Sequence, residues 1–463
     1  MNQFFKAFLM LMACYCPIVS AQESAVATID KLMSSQFKAN EPGANVLVAR
    51  GGKIIYHKAF GMANMELNVP SDTGMVYYIA SNTKQFTTVA ILQLLEKGLL
   101  SLDDTLGKYV KSTPPVSQIT IRQLLSHTSG LNGDGYRDSL NIPKGNTRQA
   151  DAERYAAKNM AFPAGSKWLY NNGNFQTLGY IIEKVTGKTY QDYINENIFK
   201  PVGMNSSVVV TGDATLIKNR PSGYSIGRRG ILNINLHDTQ DLYASGGILS
   251  TATDLFKWNR ALKSGILVPK KTLELAFTPQ RLTSGQTVPY GFGWYIDNLH
   301  GSAVYRHGGA VPGFISETFY LPQHDIYVVI LINSESAVIP QVLARIAAAE
   351  LTDKPYKFQR GELVHENLGK YAGLYESEKG EKVNITEENG KVYWQRLGGR
   401  RYEVMPSVAD EFYFEKDFLW LEFQRDKKKK IDRLVFSRAG YTPNTWKKLE
   451  KPALRLSETG QEL

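Results

Sequence analysis

Strand-like segments open and close the first three quarters of the chain, and helical patterns fill the stretch between them. The segment NVLVARGGKIIYHKAFGMAN, Asn45–Asn64, predicts two strands joined by a tight turn at Arg50–Lys53. Short β-rich runs return only after Val288 and end with DIYVVILINS. Because the apolar faces of strands must be buried against other elements, we expect one antiparallel sheet built from both ends, with the helical middle inserted.

The middle of the chain carries the clearest helical signals. Thr83–Leu99 has apolar residues near helical spacing. Two further amphipathic segments, GNFQTLGYIIEKVTGK and TYQDYINENIFKPVGM, are ended by Gly187 and Pro201. A closing helix is expected over Ser336–Leu351. The predicted fold class is therefore α/β (α+β), an antiparallel sheet flanked by helices with a helical insertion.

The sequence pattern changes after Pro355, where alternating strands are separated by turn residues at intervals of roughly eight to twelve residues. This pattern predicts a small all-β domain, a barrel or a sandwich, at 367–463. Its aromatic residues fit a core better than a ligand site. We therefore divide the mature chain into a mixed α/β domain at 22–358, a linker at 359–366 and the β-domain.

The N-terminus is typical of an export signal. Lys6 precedes the apolar run AFLMLMACYC, and Val19-Ser20-Ala21 provides a small-residue cleavage site, so residues 1–21 are expected to be a signal peptide. The mature protein would then be periplasmic or extracellular, with no transmembrane segment. Alternatively, LMAC resembles a lipobox, and lipidation at Cys14 would anchor the protein. Both of the 2 cysteines lie in this segment, which excludes a cysteine nucleophile after cleavage.

The formal charge of +10 is spread along the chain. The one dense run, Lys427–Lys430, lies between two strand-like segments and is interpreted as a solvated turn. No aromatic-and-basic pattern or recognition helix accompanies it, so we expect no nucleic-acid partner. There is no HExxH sequence or His/Asp/Glu cluster, so neither a metal nor another cofactor is expected.

A serine and a lysine three residues apart, Ser81 and Lys84, stand where the first long helix begins. On a helix these positions share one face, so the lysine amine can reach the serine hydroxyl. The free N–H groups at a helix start favour an oxyanion and a neutral lysine, which suits a serine nucleophile with a lysine base. The alternative is a helix cap and a surface charge. The same spacing at Ser35 and Lys38 shows how easily it arises by chance.

A second motif, Tyr170 and Asn172, lies in a loop that leads into a helix. The tyrosine could relay a proton, and Asn172 could hydrogen-bond both the lysine and a substrate carbonyl. Tyr193 and Asn195 repeat this spacing inside an amphipathic helix, where Tyr193 is expected to be a core aromatic.

The third motif, His307-Gly308-Gly309, is expected on a strand near the end of the sheet. The glycines would let the backbone approach a substrate closely. The N–H of Ala310 would pair with that of Ser81 to form an oxyanion hole. His307 is assigned to substrate binding, with a structural role at the strand end as the alternative.

In this order the three motifs resemble those of the serine hydrolases related to class C β-lactamases and D-Ala-D-Ala carboxypeptidases. The segments LLSHTSGL, FKPVGM, ASGGILSTATDL and YGFGW are similar to recurring segments of that family, and the resemblance covers Ala25–Leu351. The β-domain resembles the lipocalin-like domain appended to some members. The resemblance implies a β-lactamase/transpeptidase-like fold and acyl transfer, in which Ser81 attacks a carbonyl and Lys84 and Tyr170 share the proton transfers.

One departure from the family narrows the substrate. His307-Gly308-Gly309 stands where true class C β-lactamases and carboxypeptidases usually have Lys-Thr-Gly, whose lysine helps bind a substrate carboxylate. A neutral histidine is a weaker anchor, which favours an esterase or a peptidase/amidase over a dedicated β-lactamase. The expected partner is a small-molecule or peptide acyl substrate, such as a peptidoglycan-derived one. The rival hypothesis is an inactive penicillin-binding-like protein that holds cell-envelope ligands; it would more often lack a motif residue.

Overall fold

The structure is a computed structural model, and it describes residues 22–133, 147–210, 216–227, 230–234, 242–335, 338–352, 354–357, 361, 368–399, 401–414, 419–439, 443–450 and 453–454. The predicted signal peptide and most of the predicted linker lie outside these ranges. The chain divides into two compact units, residues 1–353 and 354–463, each with its own hydrophobic core.

The first unit alternates short strands with helices. Its strands are β1 (Ala44–Arg50), β2 (Lys53–Phe60), β3 (Met62–Asn64), β4 (Val69–Pro70), β5 (Tyr77–Tyr78), β6 (Val208–Val209), β7 (Tyr224–Gly227), β8 (Gly230–Asn233), β9 (Ile248–Ser250), β10 (Gln280–Arg281), β11 (Thr287–Val288), β12 (Tyr295–Leu299), β13 (Ser302–Val311), β14 (Phe314–Leu321), β15 (Ile326–Ile332) and β16 (Ser334–Glu335). Its helices are α1 (22–36), α2 (Thr83–Glu96), α3 (Ile121–Leu125), α4 (Arg148–Ala156), α5 (Asn172–Thr186), α6 (Tyr190–Ile194), α7 (Lys200–Val202), α8 (Tyr243–Gly246), α9 (Ala252–Ser264), α10 (Lys270–Ala276) and α11 (Pro340–Glu350).

The main sheet has six antiparallel strands in the order β12-β13-β14-β15-β1-β2. Strand β1 pairs with β15 over its whole length, so that Ala44 lies opposite Ile332 and Arg50 lies opposite Ile326. Every residue of β15 is buried, as expected for a strand with neighbours on both edges and layers on both faces. The prediction of one antiparallel sheet built from both ends is confirmed.

Helix α2 runs through the middle of the core. It begins where predicted and ends at Glu96, and Gly98 follows with φ +65°, a conformation that glycine adopts without strain. Residues 83–94 are buried all round the helix, and Phe86 stacks on Trp258 of α9 with ring centroids 4.0 Å apart. A helix without a polar face belongs to the interior, so its first turn is held firmly.

Two predicted helices have different bounds in the structure. The segment TYQDYINENIFKPVGM folds as α6, a π-helical turn at Asn195–Phe199, and α7 rather than as one uniform helix. The closing helix begins at Pro340 instead of Ser336. Proline is favoured in the first turn of a helix because its missing N–H would have no intrahelical partner there.

The second unit is a closed barrel. A 3-10 turn at Leu368–Tyr371 precedes the strands β17 (Gly373–Ser377), β18 (Lys382–Glu388), β19 (Lys391–Arg396), β20 (Arg401–Pro406), β21 (Glu411–Phe414), β22 (Leu419–Arg425), β23 (Ile431–Arg438) and β24 (Asn444–Lys448), which pair in that order. The aromatic side chains of Tyr375, Trp394 and Trp446 are buried in its core. The run Lys427–Lys430 lies in the turn between β22 and β23, where Asp426 Oδ1 accepts from two backbone N–H groups.

Within the described ranges, none of the helices combines the length and the apolar character needed to cross a membrane.

Candidate active site

Ser81 lies in a 3-10 turn, Ala80–Asn82, that leads directly into α2. The preceding residue, Ala80, has φ +47°, a left-handed conformation that is costly for a residue with a β-carbon. The turn is held from behind, because the Ile79 N–H donates to the carbonyl of Ile248 over 3.1 Å. Backbone strain of this kind persists where the surroundings fix it, and it clusters at functional sites.

Lys84 is fully buried and points back to Ser81. Its Nζ atom lies 3.1 Å from Ser81 Oγ, 2.8 Å from Asn172 Oδ1 and 2.7 Å from the carbonyl oxygen of Ser245. It also lies 4.8 Å from the centroid of the Tyr170 ring. The structure therefore brings together the serine and lysine of the first motif and both residues of the second.

The environment of Lys84 favours the uncharged amine. Burial lowers its pKa well below the usual lysine value. A neutral amine has two N–H donors and one lone pair. The carbonyl of Ser245 and Oδ1 of Asn172 can each accept one N–H, which leaves the lone pair directed at the Ser81 hydroxyl proton. This arrangement can remove a proton from Ser81.

Tyr170 and Asn172 are placed by the start of α5. Asn171 caps this helix, since its side chain accepts the N–H of Gly173, and Asn172 is the first helical residue. The Tyr170 hydroxyl is buried and has no hydrogen bond of regular geometry within the described part of the chain. Burial raises the pKa of Tyr170 above its ordinary value, and the neighbouring Ser81 side chain opposes this only in part. The phenol therefore keeps its proton at neutral pH.

His127, in the segment LLSHTSGL, fixes the position of Tyr170. Its Nδ1 accepts the N–H of Asn171 over 3.1 Å, and its ring packs against Tyr170 with centroids 4.4 Å apart. Burial, with the nearby Lys84, lowers the pKa of His127 well below its ordinary value, so the ring is neutral. These contacts make His127 a positioning residue for Tyr170.

The third motif lies on β13, but its members face different ways. His307 is buried: its Nε2 lies 3.1 Å from the Tyr290 hydroxyl and its Nδ1 lies 2.6 Å from the carbonyl of Gly308. Burial lowers the pKa of His307 to about 3. The sequence predicts a substrate-binding role for His307. Its ring lies 6.1 Å from that of Tyr170, centroid to centroid, but His307 is not among the described residues that line a cleft beside Ser81.

Glycine is needed at positions 308 and 309 for reasons internal to the fold. A β-carbon at Gly309 would overlap the carbonyl oxygen of Ile79 and lie 3.0 Å from the β-carbon of Ala80. At Gly308 it would lie 2.8 Å from Oε2 of the buried Glu317. Strand β13 therefore lies tightly against the turn that carries Ser81.

The cleft beside Ser81 has about 970 Å³ of empty space, part of it open to solvent. Its lining includes residues of the first two motifs, the residue that follows the third motif, and others that the motifs did not identify. They are Ser81, Tyr170, Asn172, Leu242, Ser245, Gly246, Ala310, Val311, Ile315 and Glu335. The lining places Ala310 in the same cleft as Ser81, which is compatible with the proposed oxyanion hole.

Ser245 and Glu335 were missed by the sequence analysis as site residues. Ser245 contributes a backbone carbonyl, which any residue type could supply, so only the family-like segment ASGGILS pointed to this place. Glu335 follows the last strand of the main sheet, and no motif marks it.

The two repeated spacings are structurally unlike the motifs. The Ser35 hydroxyl donates to the carbonyl of Leu32, and Lys38 Nζ bonds Glu41, so these two side chains do not contact each other. Tyr193 is a buried aromatic whose hydroxyl donates to Gln93 Oε1, as predicted for a core residue.

Comparison with known proteins identifies relatives of both units. A family model described as Beta-lactamase matches residues 26–352, and a model described as a domain of unknown function matches residues 359–449. Penicillin-binding protein 4* of Bacillus subtilis is 29% identical over 411 residues, covering 82% of this chain and 89% of its own length.

Solved structures agree with this assignment. The octameric penicillin-binding protein homologue from Pyrococcus abyssi superposes with a TM-score of 0.66 at 26% identity, covering 92% of this chain and 99% of that one. A D-stereospecific amidohydrolase from Streptomyces sp. gives a TM-score of 0.58 at 25% identity, covering 72% and 98%. With the predicted mixed α/β fold and the β-barrel both confirmed, this chain belongs to the beta-lactamase family of serine hydrolases related to penicillin-binding proteins.

Proposed function

We propose that this protein cleaves an ester or amide bond through an acyl-enzyme intermediate on Ser81. The observation that carries the proposal is the buried amine of Lys84, which lies 3.1 Å from Ser81 Oγ and has two carbonyl-type acceptors for its own N–H groups. An amine in this setting is an activated general base, and a serine that it contacts is an activated nucleophile.

In the first step Ser81 Oγ attacks the substrate carbonyl carbon while its proton passes to Lys84 Nζ. The negative charge that develops on the carbonyl oxygen is stabilised by the backbone N–H groups of Ser81 and Ala310. The resulting ammonium of Lys84 is stabilised by Asn172 Oδ1 and the carbonyl of Ser245 at hydrogen-bond distance. The charge therefore forms where acceptors are already in place.

In the second step the bond to the leaving group breaks, and its nitrogen or oxygen takes up a proton. Tyr170 is suited to deliver it, because its phenol is buried, keeps its proton and adjoins both Ser81 and Lys84. Tyr170 then regains a proton from Lys84. Water next attacks the ester carbonyl on Ser81 while Lys84 accepts its proton. The bond between the carbonyl carbon and Ser81 Oγ then breaks, and Lys84 returns the proton to Oγ, which releases the acid and restores the Ser81 hydroxyl.

The cleft supports an esterase or amidase in preference to a dedicated β-lactamase. Since His307 is buried and neutral, it offers no cation for a substrate carboxylate, and Arg306 on the same strand is paired with Asp297 and Glu317. Among the residues that the structure describes, neither lysine nor arginine lines the cleft. The likeness to the D-stereospecific amidohydrolase at 25% identity is compatible with amide substrates. The substrate class includes D-amino-acid derivatives and peptidoglycan-derived peptides.

We also propose that the protein acts outside the cytoplasm, either released after Ala21 or anchored through Cys14. The export-like N-terminus supports this, as do relatives named penicillin-binding proteins. Mass determination of the mature N-terminus after expression with an intact leader distinguishes cleavage after Ala21, lipidation and retention of the leader.

The function is tested by labelling with a fluorophosphonate and locating the adduct by mass spectrometry. We expect the label on Ser81, loss of labelling in Ser81→Ala, and strongly slowed labelling in Lys84→Ala. Ser35→Ala and Lys38→Ala are matched controls with the same spacing and should label like the wild type. No adduct on Ser81, or unchanged labelling in Lys84→Ala, would refute the proposal and leave a ligand-binding protein as the better description.

A further inference from the structure

We propose that Glu335 binds a positively charged group of the substrate, so that the preferred substrates carry a free amino group on the acyl side of the scissile bond. This inference rests on the proposed function and names its substrate class. Glu335 would determine which substrate charge the cleft favours, whereas Ser81, Lys84 and Tyr170 would cleave the bond.

Glu335 stands at the open side of the cleft. It is exposed to solvent and belongs to the set of residues that line the cleft with Ser81. Its Oε1 lies 3.4 Å from the backbone N–H of Gly313, in the turn that joins β13 to β14. That turn follows Val311, which also lines the cleft. The carboxylate is therefore directed towards the same rim as the strand that borders Ser81.

The backbone at Glu335 is held by a neighbouring strand. In the parallel pair β16–β7, Ser334 lies opposite Tyr224 and Glu335 lies opposite Ser225. Strand β16 also follows directly after β15, the central strand of the main sheet. Because the backbone of Glu335 is paired with β7, its carboxylate has less freedom to lose on binding than one on an unpaired loop, which favours a specific role.

No other charged side chain competes with Glu335 in the described lining. The remaining members are neutral: Leu242, Gly246, Ala310, Val311 and Ile315 are apolar, and Ser81, Tyr170, Asn172 and Ser245 are uncharged polar residues. Lys84 is buried beneath Ser81 and is held as a neutral amine. No lysine or arginine of the described ranges forms an ion pair with Glu335.

A cleft with apolar walls strengthens the field of a single charge at its mouth. A negative charge there attracts an ammonium and repels a carboxylate. This is the opposite of what a cleft with a lysine on β13 would prefer. His307 and Glu335 therefore both favour a positively charged substrate. His307 replaces a lysine that would bind a carboxylate, and Glu335 adds a negative charge that would bind an ammonium.

The test compares three alanine p-nitroanilides of either configuration: the free amine, the N-acetyl derivative and the N-succinyl derivative. They carry a positive, a neutral and a negative group on one scaffold. We expect kcat/KM to fall in that order at low ionic strength. In Glu335→Gln, kcat/KM for the free amine should fall about five- to tenfold, while that for the N-acetyl derivative stays within about twofold. In Glu335→Lys the order should invert.

Glu196→Gln is the control, because it removes one exposed carboxylate that does not line the cleft. It should leave the order unchanged. Added salt should reduce the preference in the wild type and have little effect in Glu335→Gln. If turnover depends on Ser81 but Glu335→Gln changes all three substrates equally, the inference is wrong and the proposed function stands. If no substrate is cleaved in a Ser81-dependent way, the proposed function fails and the inference fails with it.

Discussion

Gly309 lies directly against Ile79: a β-carbon at position 309 would overlap the Ile79 carbonyl oxygen and would come within 2.5 Å of Ser316 Oγ. Ile79 immediately precedes the turn that carries Ser81. This contact therefore sets the separation between strand β13 and the serine. We predicted that the glycine pair would allow a substrate to approach the backbone, whereas the structure shows that it allows two segments of the protein to approach each other.

Replacing Gly309 by alanine should move β13 away from Ser81. We expect Gly309→Ala to lower kcat/KM by about 100-fold, since displacements near 1 Å have effects of this size on aligned reacting groups. The overpacking should also reduce the free energy of unfolding by about 1–3 kcal/mol. Gly227→Ala is the control, because no atom of the described residues lies within 4 Å of the position of its β-carbon. Wild-type activity in Gly309→Ala would show that the spacing does not matter.

The lowered pKa of Lys84 predicts the acidic side of the pH profile. The amine must be neutral to accept the Ser81 proton, so kcat/KM should rise with pH through a pKa well below the usual lysine value. The profile is measured from pH 4 to pH 10 with a neutral ester. An acidic limb near the ordinary lysine pKa would contradict a neutral Lys84 in the resting enzyme.

The same shift has a consequence for stability. Between the lowered pKa and the usual lysine value, the unfolded chain holds a proton on Lys84 that the folded protein does not, so this residue makes stability rise with pH. Lys84→Met removes the titration. The stability of the wild type relative to Lys84→Met should therefore increase with pH, by at most about 1.4 kcal/mol per pH unit. Denaturant unfolding of both proteins at several pH values measures this difference in stability. A difference that stays constant with pH would refute the prediction.

Tyr170→Phe removes one hydroxyl from the site and keeps the ring that contacts His127 and Lys84. We expect kcat to fall about 100-fold or more with a small change in KM, because general acid catalysis is lost while the cleft keeps its shape. Tyr193→Phe is the matched control and should keep full activity. An equal loss of activity in both variants would indicate a structural effect of removing a buried hydroxyl.

Glu317 supplies a separate pH effect behind the site. Burial raises the pKa of Glu317 to about 7, even though Arg306 Nη1 lies 3.6 Å from Glu317 Oε1 and its charge lowers that pKa. Since the unfolded carboxyl loses its proton near pH 4.5, the folded state holds more protons between these values, and stability falls as pH rises through the window. Glu317→Gln should remove this fall and be more stable than the wild type above pH 7, by on the order of 1–3 kcal/mol. Plots of the free energy of unfolding against pH that run parallel for the wild type and Glu317→Gln would contradict this prediction.

The first motif shows how far the sequence could lead. Ser35 and Lys38 have the same spacing as Ser81 and Lys84, and only their surroundings differ. Ser81 and Lys84 could be distinguished because the helix α2 begins at them, and helical periodicity is among the strongest signals in a sequence. The depth of burial of Lys84 was not readable, because it depends on contacts with residues far away in the sequence, among them Tyr170, Asn172 and Ser245.

Other parts of the site could not be read because they do not depend on residue type or local pattern. The Ser245 contribution is a main-chain carbonyl, so its side chain carries no signal. His307 was placed correctly on a strand, but the face that its side chain occupies depends on the packing of Tyr290 and Tyr295 against it. Glu335 enters the cleft through the pairing of β16 with β7, a contact between distant parts of the chain.

The pairing of β1 with β15 sets the order of events when this chain is made. Strand β1 cannot pair with β15 until the chain has been synthesised beyond it, since Ala44 pairs with Ile332 and Arg50 with Ile326. Contacts so distant in sequence close large loops and fold slowly. Until they form, the edge of the first hairpin is open to wrong partners. A growing or truncated chain should therefore be inactive and prone to aggregate, and hydrolysis should begin only when the last central strand has been added.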